Sequence, residues 1–265
     1  MNSIVTAIII ISEMGIIAAL MLVIAAKVLY VPEDERIGLV TEVLPGANCG
    51  ACGFAGCADY AKAVVEGRAP TNCCVPGGAN AAEAVSKVMG VKAGKTEAKK
   101  AVVACQGFNF NTTKKYEYQG ITSCAAATKM FAGPSACAYG CVGFGDCVAA
   151  CQFDAIHIVN GVALVDNNKC TGCGACSRAC PKHVIDMIPD DVNPVVLCHN
   201  ADKGALTRKV CSTGCIGCMK CTKVCPTNAI SVVNNLARID QELCIACEQC
   251  ANECPVKAIH IPNIR

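Results

Sequence analysis

The feature that most constrains this chain is a cysteine spacing, Cys-x2-Cys-x2-Cys-x3-Cys-Pro, which occurs three times in its C-terminal half. The copies begin at Cys170, Cys215 and Cys244. Three thiolates at this spacing hold three irons of a [4Fe–4S] cubane, and the fourth cysteine reaches across to a partner cluster. Zinc sites more often use two separated cysteine pairs, or cysteine with histidine. The spacing therefore predicts ferredoxin-type clusters rather than zinc.

The crossed arrangement of the fourth cysteine assigns a ligand set to each regular motif. The predicted sets are Cys170, Cys173 and Cys176 with Cys151; Cys215, Cys218 and Cys221 with Cys254; and Cys244, Cys247 and Cys250 with Cys225. The remaining set is Cys137, Cys141, Cys147 and Cys180. It departs from the regular spacing, and Gln152 stands where proline is usual. Glycines in the longer loop can absorb the extra residues, so we expect a cubane there as well.

A different cysteine pattern lies nearer the N-terminus. Cys49, Cys52 and Cys57 are followed by the adjacent pair Cys73 and Cys74, which precedes Val-Pro-Gly-Gly. A cubane needs four ligands and five are available here. The local spacing does not choose between Cys73 and Cys74.

Four further cysteines have no place in these sets: Cys105, Cys124, Cys198 and Cys211. Cys105 and Cys198 each end a strand-like apolar run, at equivalent places ahead of the two cysteine repeats. They could hold a sixth cluster together with Cys124 and Cys211. The alternative is that all four are buried free thiols, which pack as small apolar residues. We therefore expect five clusters, and six if these four cysteines are ligands.

The cysteine-rich half contains an internal repeat. Eighteen residues separate Cys151 from Cys170 and again Cys225 from Cys244. Each interval has apolar residues around Asn160-Gly161 or Asn234-Asn235, which is a hairpin signal. The chain is predicted to be α+β, with tandem βαβ-like dicluster ferredoxin modules behind a membrane helix and a small cluster module. The predicted boundaries are 1–31 for the anchor, 32–89 for the N-terminal module, 90–101 for a linker, and 102–192 and 193–265 for the two ferredoxin modules.

An apolar run from Ile4 to Ala26 is long enough to span a bilayer and contains one charge, Glu13. The alternative, a signal peptide, would have a basic start and a shorter apolar core. Positive charge follows the run at Lys27 and Arg36, which predicts a single span in the cell (inner) membrane with a cytoplasmic body. We expect Glu13 to be a functional acid, or else to pair with a neighbouring subunit or to sit protonated at no great depth.

Other functions find little support in the sequence. The 25 cysteines are an odd number, and their spacings favour metal over disulfides. The net charge of +2 comes without a basic stripe, so no nucleic-acid partner is expected. No Gly-x-Gly-x-x-Gly follows a strand, so we expect no direct NAD or flavin binding. The four histidines are scattered, and we expect no catalytic residue.

The sequence resembles the B subunit of the Rnf complex, a membrane ferredoxin:NAD⁺ oxidoreductase that pumps ions. The resemblance rests on the N-terminal span, on Gly-Ala-Asn-Cys49-Gly-Ala-Cys52-Gly-Phe-Ala-Gly-Cys57, on Cys74-Val-Pro-Gly-Gly and on the tandem ferredoxin motifs. It implies that Cys74 rather than Cys73 is the fourth ligand. It also implies that the chain accepts electrons from soluble ferredoxin and passes them to other membrane subunits.

One alternative function and one question about charge remain open beside this resemblance. The chain could serve another membrane redox complex, one that supplies nitrogenase or reduces a redox sensor. A group of lysines could attract an acidic ferredoxin or simply solvate a linker. These lysines are Lys92, Lys95, Lys99, Lys100, Lys114 and Lys115.

Overall fold

The computed structural model describes residues 3–28, 34–96, 98–190 and 193–261. Its first element is helix α1, Ser3–Val28, about 39 Å long at 1.5 Å per residue. The part from Ile8 to Val28 has a mean hydropathy of 2.7 and is not buried against the rest of the protein. The predicted apolar span is therefore a continuous helix of membrane-crossing length.

Three helices form the N-terminal module: α2 (Glu35–Val43), α3 (Cys57–Val65) and α4 (Gly78–Met89). They pack around Val40, Tyr60 and Val85, which are almost fully buried. The Tyr60 hydroxyl donates to the Pro70 carbonyl (2.8 Å) and accepts the Cys73 N–H (3.2 Å). Tyr60 thus ties the loop that carries Cys73 and Cys74 to α3.

The first ferredoxin module has four strands and three short helices. These are β1 (Lys99–Val103), α5 (Cys124–Thr128), α6 (Asp146–Ala149), β2 (Ile156–Val159), β3 (Val162–Val165), α7 (Ala175–Ala179) and β4 (Ile185–Pro189). β1 and β4 pair antiparallel, and β2 and β3 form a hairpin. The hairpin turns at Asn160 and Gly161, whose φ angles are 48° and 84°. Such angles explain the Asn-Gly sequence.

The second module repeats this arrangement. Its elements are β5 (Val195–Val196), α8 (Gly204–Val210), α9 (Lys220–Val224), β6 (Ile230–Val233), β7 (Leu236–Ile239), α10 (Gln249–Asn252) and β8 (Ile259–His260). β5 pairs with β8, and the β6–β7 hairpin turns at Asn234 and Asn235, both at positive φ. Both predicted hairpins and the α+β class are confirmed.

The predicted linker and module boundaries need one revision. β1 begins at Lys99, inside the linker predicted for residues 90–101, because Lys99–Val103 pairs with Ile185–Pro189. The predicted junction of anchor and N-terminal module falls in 29–33, outside the described residues. The predicted end of the first ferredoxin module, at 191–192, also lies outside them.

The two ferredoxin modules are joined by the segment that follows β1. The Gln106 side chain donates to the Lys257 carbonyl (3.0 Å), and Thr112 Oγ1 donates to the Val210 carbonyl (2.7 Å). The Ser212 N–H donates to the Asn111 carbonyl (2.9 Å). These bonds hold the segment that follows Cys105, two residues beyond the end of β1, against the second module.

Candidate iron–sulfur sites

Site A is the cysteine group of the N-terminal module: Cys49, Cys52, Cys57 and Cys74. Asn48 organises its loop, because the Asn48 side-chain oxygen accepts the Cys57 N–H at the start of α3 (2.8 Å). Asn48 also adopts a left-handed backbone (φ 47°) immediately before Cys49. One asparagine therefore positions two cysteines. Sequence reasoning missed its role, although asparagine is enriched at such turns.

Of the two adjacent cysteines, Cys74 is the better placed. It is 8% exposed. Burial raises the pKa of its thiol, the Gly77 N–H acts in the opposite direction, and the other three cysteines of site A raise it further. Burial also raises the pKa of Cys73, but only Cys52 adds to the effect there. Cys74 thus lies among all three partners, whereas Cys73 lies near one.

Site B is the expected group of Cys151, Cys170, Cys173 and Cys176. Burial, followed by the thiols of Cys170, Cys173 and Cys151, raises the pKa of Cys176 to about 11. Cys176 lies on α7, which begins just after the left-handed Gly174 (φ 70°). The regular spacing thus brings together the residues predicted from it.

Site C is a group that the sequence did not predict: Cys124, Cys141, Cys147 and Cys180. Burial, and after it the thiols of Cys141, Cys124 and Cys180, raise the pKa of Cys147 to about 12. Cys124 therefore occupies the place expected for Cys137. The predicted grouping of Cys137 with Cys141, Cys147 and Cys180 is corrected, because ligand spacing along the loop does not determine which thiols meet in the fold.

Asp146 holds Cys124 in site C. Its carboxylate accepts the Cys124 N–H and the Ala125 N–H, both at 2.9 Å, and the Ser123 hydroxyl at 3.0 Å. Burial opposes its ionisation, but these three bonds outweigh burial and lower the pKa of Asp146. Asp146 thus anchors the start of α5 beside its own neighbour, Cys147. Sequence reasoning missed this carboxylate, since nothing local links residues 124 and 146.

Site D lies between the ferredoxin modules and consists of Cys105, Cys137, Cys198 and Cys211. All four line one cavity, which Cys141 of site C also borders. Burial raises the pKa of Cys105 to about 12 and that of Cys198 to about 11. The predicted sixth set is therefore corrected at one position, with Cys137 in place of Cys124.

The sulfurs of site D accept several N–H groups. The backbone N–H groups of Gly107 and Cys141 donate to Cys105 Sγ, both at 3.3 Å. The Asn200 backbone N–H donates to Cys198 Sγ at 3.5 Å. Such bonds stabilise a thiolate, as ligation to iron requires.

Site E is the expected crossed set of Cys215, Cys218, Cys221 and Cys254, and all four line a second, mostly apolar cavity. Site F comprises Cys225, Cys244, Cys247 and Cys250. Burial raises the pKa of Cys250, and the thiols of Cys244 and Cys247 raise it further. Cys225 and Cys250 pack in the same core of the second module.

Three of the crossing cysteines, Cys151, Cys225 and Cys254, share one local geometry. Cys151 Sγ accepts the N–H of Ala155 (3.5 Å), and Cys254 Sγ accepts the N–H of Ala258 (3.3 Å). In each case the donor lies four residues after the cysteine. The Ala229 N–H likewise donates to Cys225 and helps to lower its pKa, against the opposing effect of burial. The turn after each cysteine thus prepares it to bond as a thiolate.

The donor sets fit [4Fe–4S] clusters. In the described ranges, no three His, Cys, Asp or Glu side chains are gathered so closely that they could hold a single metal ion. The cysteines of sites D and E instead surround cavities that are lined largely by apolar residues and glycine. Four thiolates around such a space are the donors that a cubane takes. Together the six sites use 24 of the 25 cysteines and leave Cys73.

Sites A, B and C lie next to one another. The Arg178 guanidinium donates to the carbonyls of Cys49 in site A (3.2 Å) and Cys173 in site B (3.3 Å). Cys176 of site B contributes to the raised pKa of Cys147 in site C, after burial and the thiols of site C itself. One arginine thus joins the N-terminal module to the first ferredoxin module.

The contacts between neighbouring sites continue through the second module. Cys141 of site C donates its N–H to Cys105 of site D, and the backbone of Cys215 in site E bonds Cys198 of site D. Sites E and F pack in a common core. Each site therefore contacts the next in the order A to F, and this series of six sites is called the row below.

Gly172, between Cys170 and Cys173, tests how closely the loop of site B packs against the start of β1. A Cβ on Gly172 would collide with the Lys99 carbonyl and lie 3.5 Å from Val75, whereas on Gly174 it would meet the end of the Arg178 side chain at 3.4 Å and Met187 Sδ at 4.0 Å, with no backbone atom in the way. Both glycines have φ near +70° and carry the same conformational cost. Gly172→Ala should therefore destabilise the protein by about 2 kcal/mol more than Gly174→Ala. The measurement is the midpoint of anaerobic thermal bleaching, and equal midpoints would contradict the contact.

Family comparisons agree with the cysteine sites. A family model described as "Putative Fe-S cluster" matches residues 44–76, which include site A. A "4Fe-4S binding domain" matches residues 163–186, and a "4Fe-4S dicluster domain" matches residues 214–258. The fold and these matches define a multi-cluster ferredoxin-type iron–sulfur protein with an N-terminal apolar helix.

Three relatives cover most of the chain. The B subunit of the Na⁺-translocating ferredoxin:NAD⁺ oxidoreductase complex of Acetobacterium woodii is 45% identical, over 91% of this chain and 73% of the relative. Its proton-translocating counterpart from Clostridium ljungdahlii is 43% identical, over 92% and 86%. The B subunit of the ion-translocating oxidoreductase complex of Methanosarcina acetivorans is 42% identical, over 88% and 89%. The chain belongs to the family of the B subunits of Rnf-type ion-translocating ferredoxin:NAD⁺ oxidoreductases, and it is an iron–sulfur electron-transfer subunit.

Proposed function

We propose that this chain holds six [4Fe–4S] clusters, one in each of sites A to F, and carries single electrons from reduced ferredoxin toward the membrane subunits and NAD⁺. The observation that carries the proposal is the unbroken row of six cysteine sites. Each cluster, when bound, accepts and releases one electron. The chain supplies the thiolates, excludes water from them and donates N–H bonds to sulfur.

The two ends of the row differ in exposure, and this supports a direction. Cys218 of site E and Cys247 of site F are exposed. Leu243 and Ile245, on either side of Cys244, are also more than half exposed. Site A, in contrast, lies in the module that follows helix α1. Ferredoxin therefore meets the second module, and electrons leave through site A toward the membrane subunits.

The lysine stretch is less suited to receive ferredoxin. Lys100 forms an ion pair with Asp190, and the Lys115 ammonium donates to the Phe131 carbonyl (2.8 Å). Both cations thus contribute to the fold, although Lys115 is itself exposed, as are Lys92, Lys95, Lys99 and Lys114.

Helix α1 anchors the chain, and we propose that it is a single span with the body in the cytoplasm. Lys27 and Arg36 follow the apolar run, and cytoplasmic flanks carry such an excess of positive charge. A reducing cytoplasm also keeps thiols available for iron. NAD⁺ and flavin bind other subunits, since the sequence has no dinucleotide fingerprint.

The test is the composition of the full chain, purified anaerobically in detergent. We expect about 24 iron and 24 acid-labile sulfide per polypeptide, because each cubane has four of each. Reduced ferredoxin alone should bleach the visible absorbance, and NADH alone should leave it unchanged. About 20 iron would contradict six clusters, bleaching by NADH would contradict the donor, and zinc in place of iron would exclude electron transfer.

A further inference from the structure

Asn200 is a buried amide aimed at site D. Asn200 is 2% exposed, and its side chain makes two hydrogen bonds. Its Oδ1 accepts the Asp202 N–H at 2.7 Å, and its Nδ2 donates to Cys137 Sγ at 3.5 Å. Because the Asp202 N–H must meet the oxygen, the amide nitrogen faces the sulfur.

We propose that Asn200 sets the reduction potential of site D by donating a side-chain hydrogen bond to the Cys137 thiolate. This inference rests on the proposed cluster in that site. Reduction adds negative charge to a cluster and its thiolates. An N–H bond to a ligand sulfur stabilises this charge, so it raises the potential. In an apolar cavity the bond is screened less than it would be in water.

The position of site D gives this bond its importance. Site D takes Cys105 and Cys137 from the first ferredoxin module and Cys198 and Cys211 from the second. Every electron that travels along the row crosses it, and a potential far below those of its neighbours would impede the crossing. Backbone N–H groups also reach Cys105 and Cys198. The Asn200 side chain is therefore a donor that substitution can remove while the backbone donors remain.

A structural role alone is the competing explanation. The bond from the Asp202 N–H to Asn200 Oδ1 closes a local turn, and this turn alone could account for an asparagine. Asn200→Asp separates the two roles, because a carboxylate has the same shape and still accepts the Asp202 N–H. It replaces the N–H donor by an oxygen. Asn200→Leu removes both bonds at similar volume without adding charge.

The experiment is anaerobic redox titration of the full chain, followed by electron paramagnetic resonance, with iron counted in every sample. Tyr139→Phe is the matched control, since it removes a hydroxyl that donates to Asp202 Oδ1 (3.4 Å), on the loop of Asn200, rather than to a sulfur. With Asn200→Leu we expect one cluster to become about tenfold harder to reduce. That shift is about 59 mV downward for a one-electron couple. Asn200→Asp should lower the same midpoint further, and Tyr139→Phe should leave it unchanged.

Each result decides the matter. A lowered midpoint in one cluster of both variants, with about 24 iron retained, supports the proposal. Unchanged midpoints at full iron content would overturn it and leave the cluster in place. Loss of about four iron from both variants would also overturn it, because Asn200 would then be needed for assembly. If Asn200→Leu alone loses iron, the midpoint of Asn200→Asp decides. About 20 iron in the unsubstituted chain would instead remove the cluster itself.

Discussion

Replacing Cys74 with alanine is expected to remove about four of the roughly 24 irons that we propose, whereas replacing Cys73 is expected to remove none. Cys74 is buried among the other three cysteines of site A, and Cys73 lies near only Cys52. A [4Fe–4S] cluster left with three thiolates is open to solvent at one iron. The measurement is iron and sulfide per polypeptide in the two variants, side by side.

The loss should be confined to one cluster. Sites B to F draw no ligand from the N-terminal module, so the resonances of their clusters should persist in Cys74→Ala. Tyr60 also fixes the loop through the Cys73 backbone, which both variants retain. Equal iron loss in the two variants would show that the cysteines are interchangeable. Loss from Cys73→Ala alone would reverse the assignment.

Replacing Cys198 with alanine is expected to interrupt electron flow between the two ferredoxin modules almost completely. Cys198 is a ligand of site D in our proposal, and its sulfur bonds the backbone of Cys215 in site E. Without a cluster in site D, no electron carrier lies between the clusters of sites C and E. Reduced ferredoxin should then bleach the clusters of sites E and F rapidly and those of sites A to C only slowly.

Stopped-flow absorbance with ferredoxin as donor makes this measurement, and Cys73→Ala is the matched control because it also removes one thiol. The clusters of the control should be reduced in a single kinetic phase, like those of the unsubstituted chain. If the clusters of Cys198→Ala were also reduced in a single phase at the same rate, electrons would not need to pass through site D, and the row of sites would be contradicted. Fast bleaching of sites A to C, with slow bleaching of E and F, would instead place the donor at the other end.

Sequence reasoning succeeded where geometry is local. A Cys-x2-Cys-x2-Cys loop fixes its own three sulfurs, and the crossed fourth cysteine follows from the repeat. The cysteines of sites B, E and F therefore needed no knowledge of the tertiary structure. The hairpins at Asn160-Gly161 and Asn234-Asn235 were equally local, since their turn type selects those residues.

The exchange of Cys124 and Cys137 shows where this reasoning ends. Both cysteines lie in the long segment between β1 and α6, and spacing alone placed Cys137 with Cys141. In the fold, Asp146 draws Cys124 back toward Cys147, and Asn200 bonds Cys137 from the second module. These contacts join residues 22 and 63 positions apart. No pattern within the loop encodes them.

The pairing of β1 with β4, and of β5 with β8, has an evolutionary consequence. In each module the first strand lies beside the last, so a module's ends meet and it can be copied or deleted as a unit. Site D restricts that freedom, because Cys105 and Cys137 belong to one module and Cys198 and Cys211 to the other. Deleting either module would leave two thiols of the survivor without partners. A deletion of one module would therefore have to remove or replace the two site D cysteines of the other.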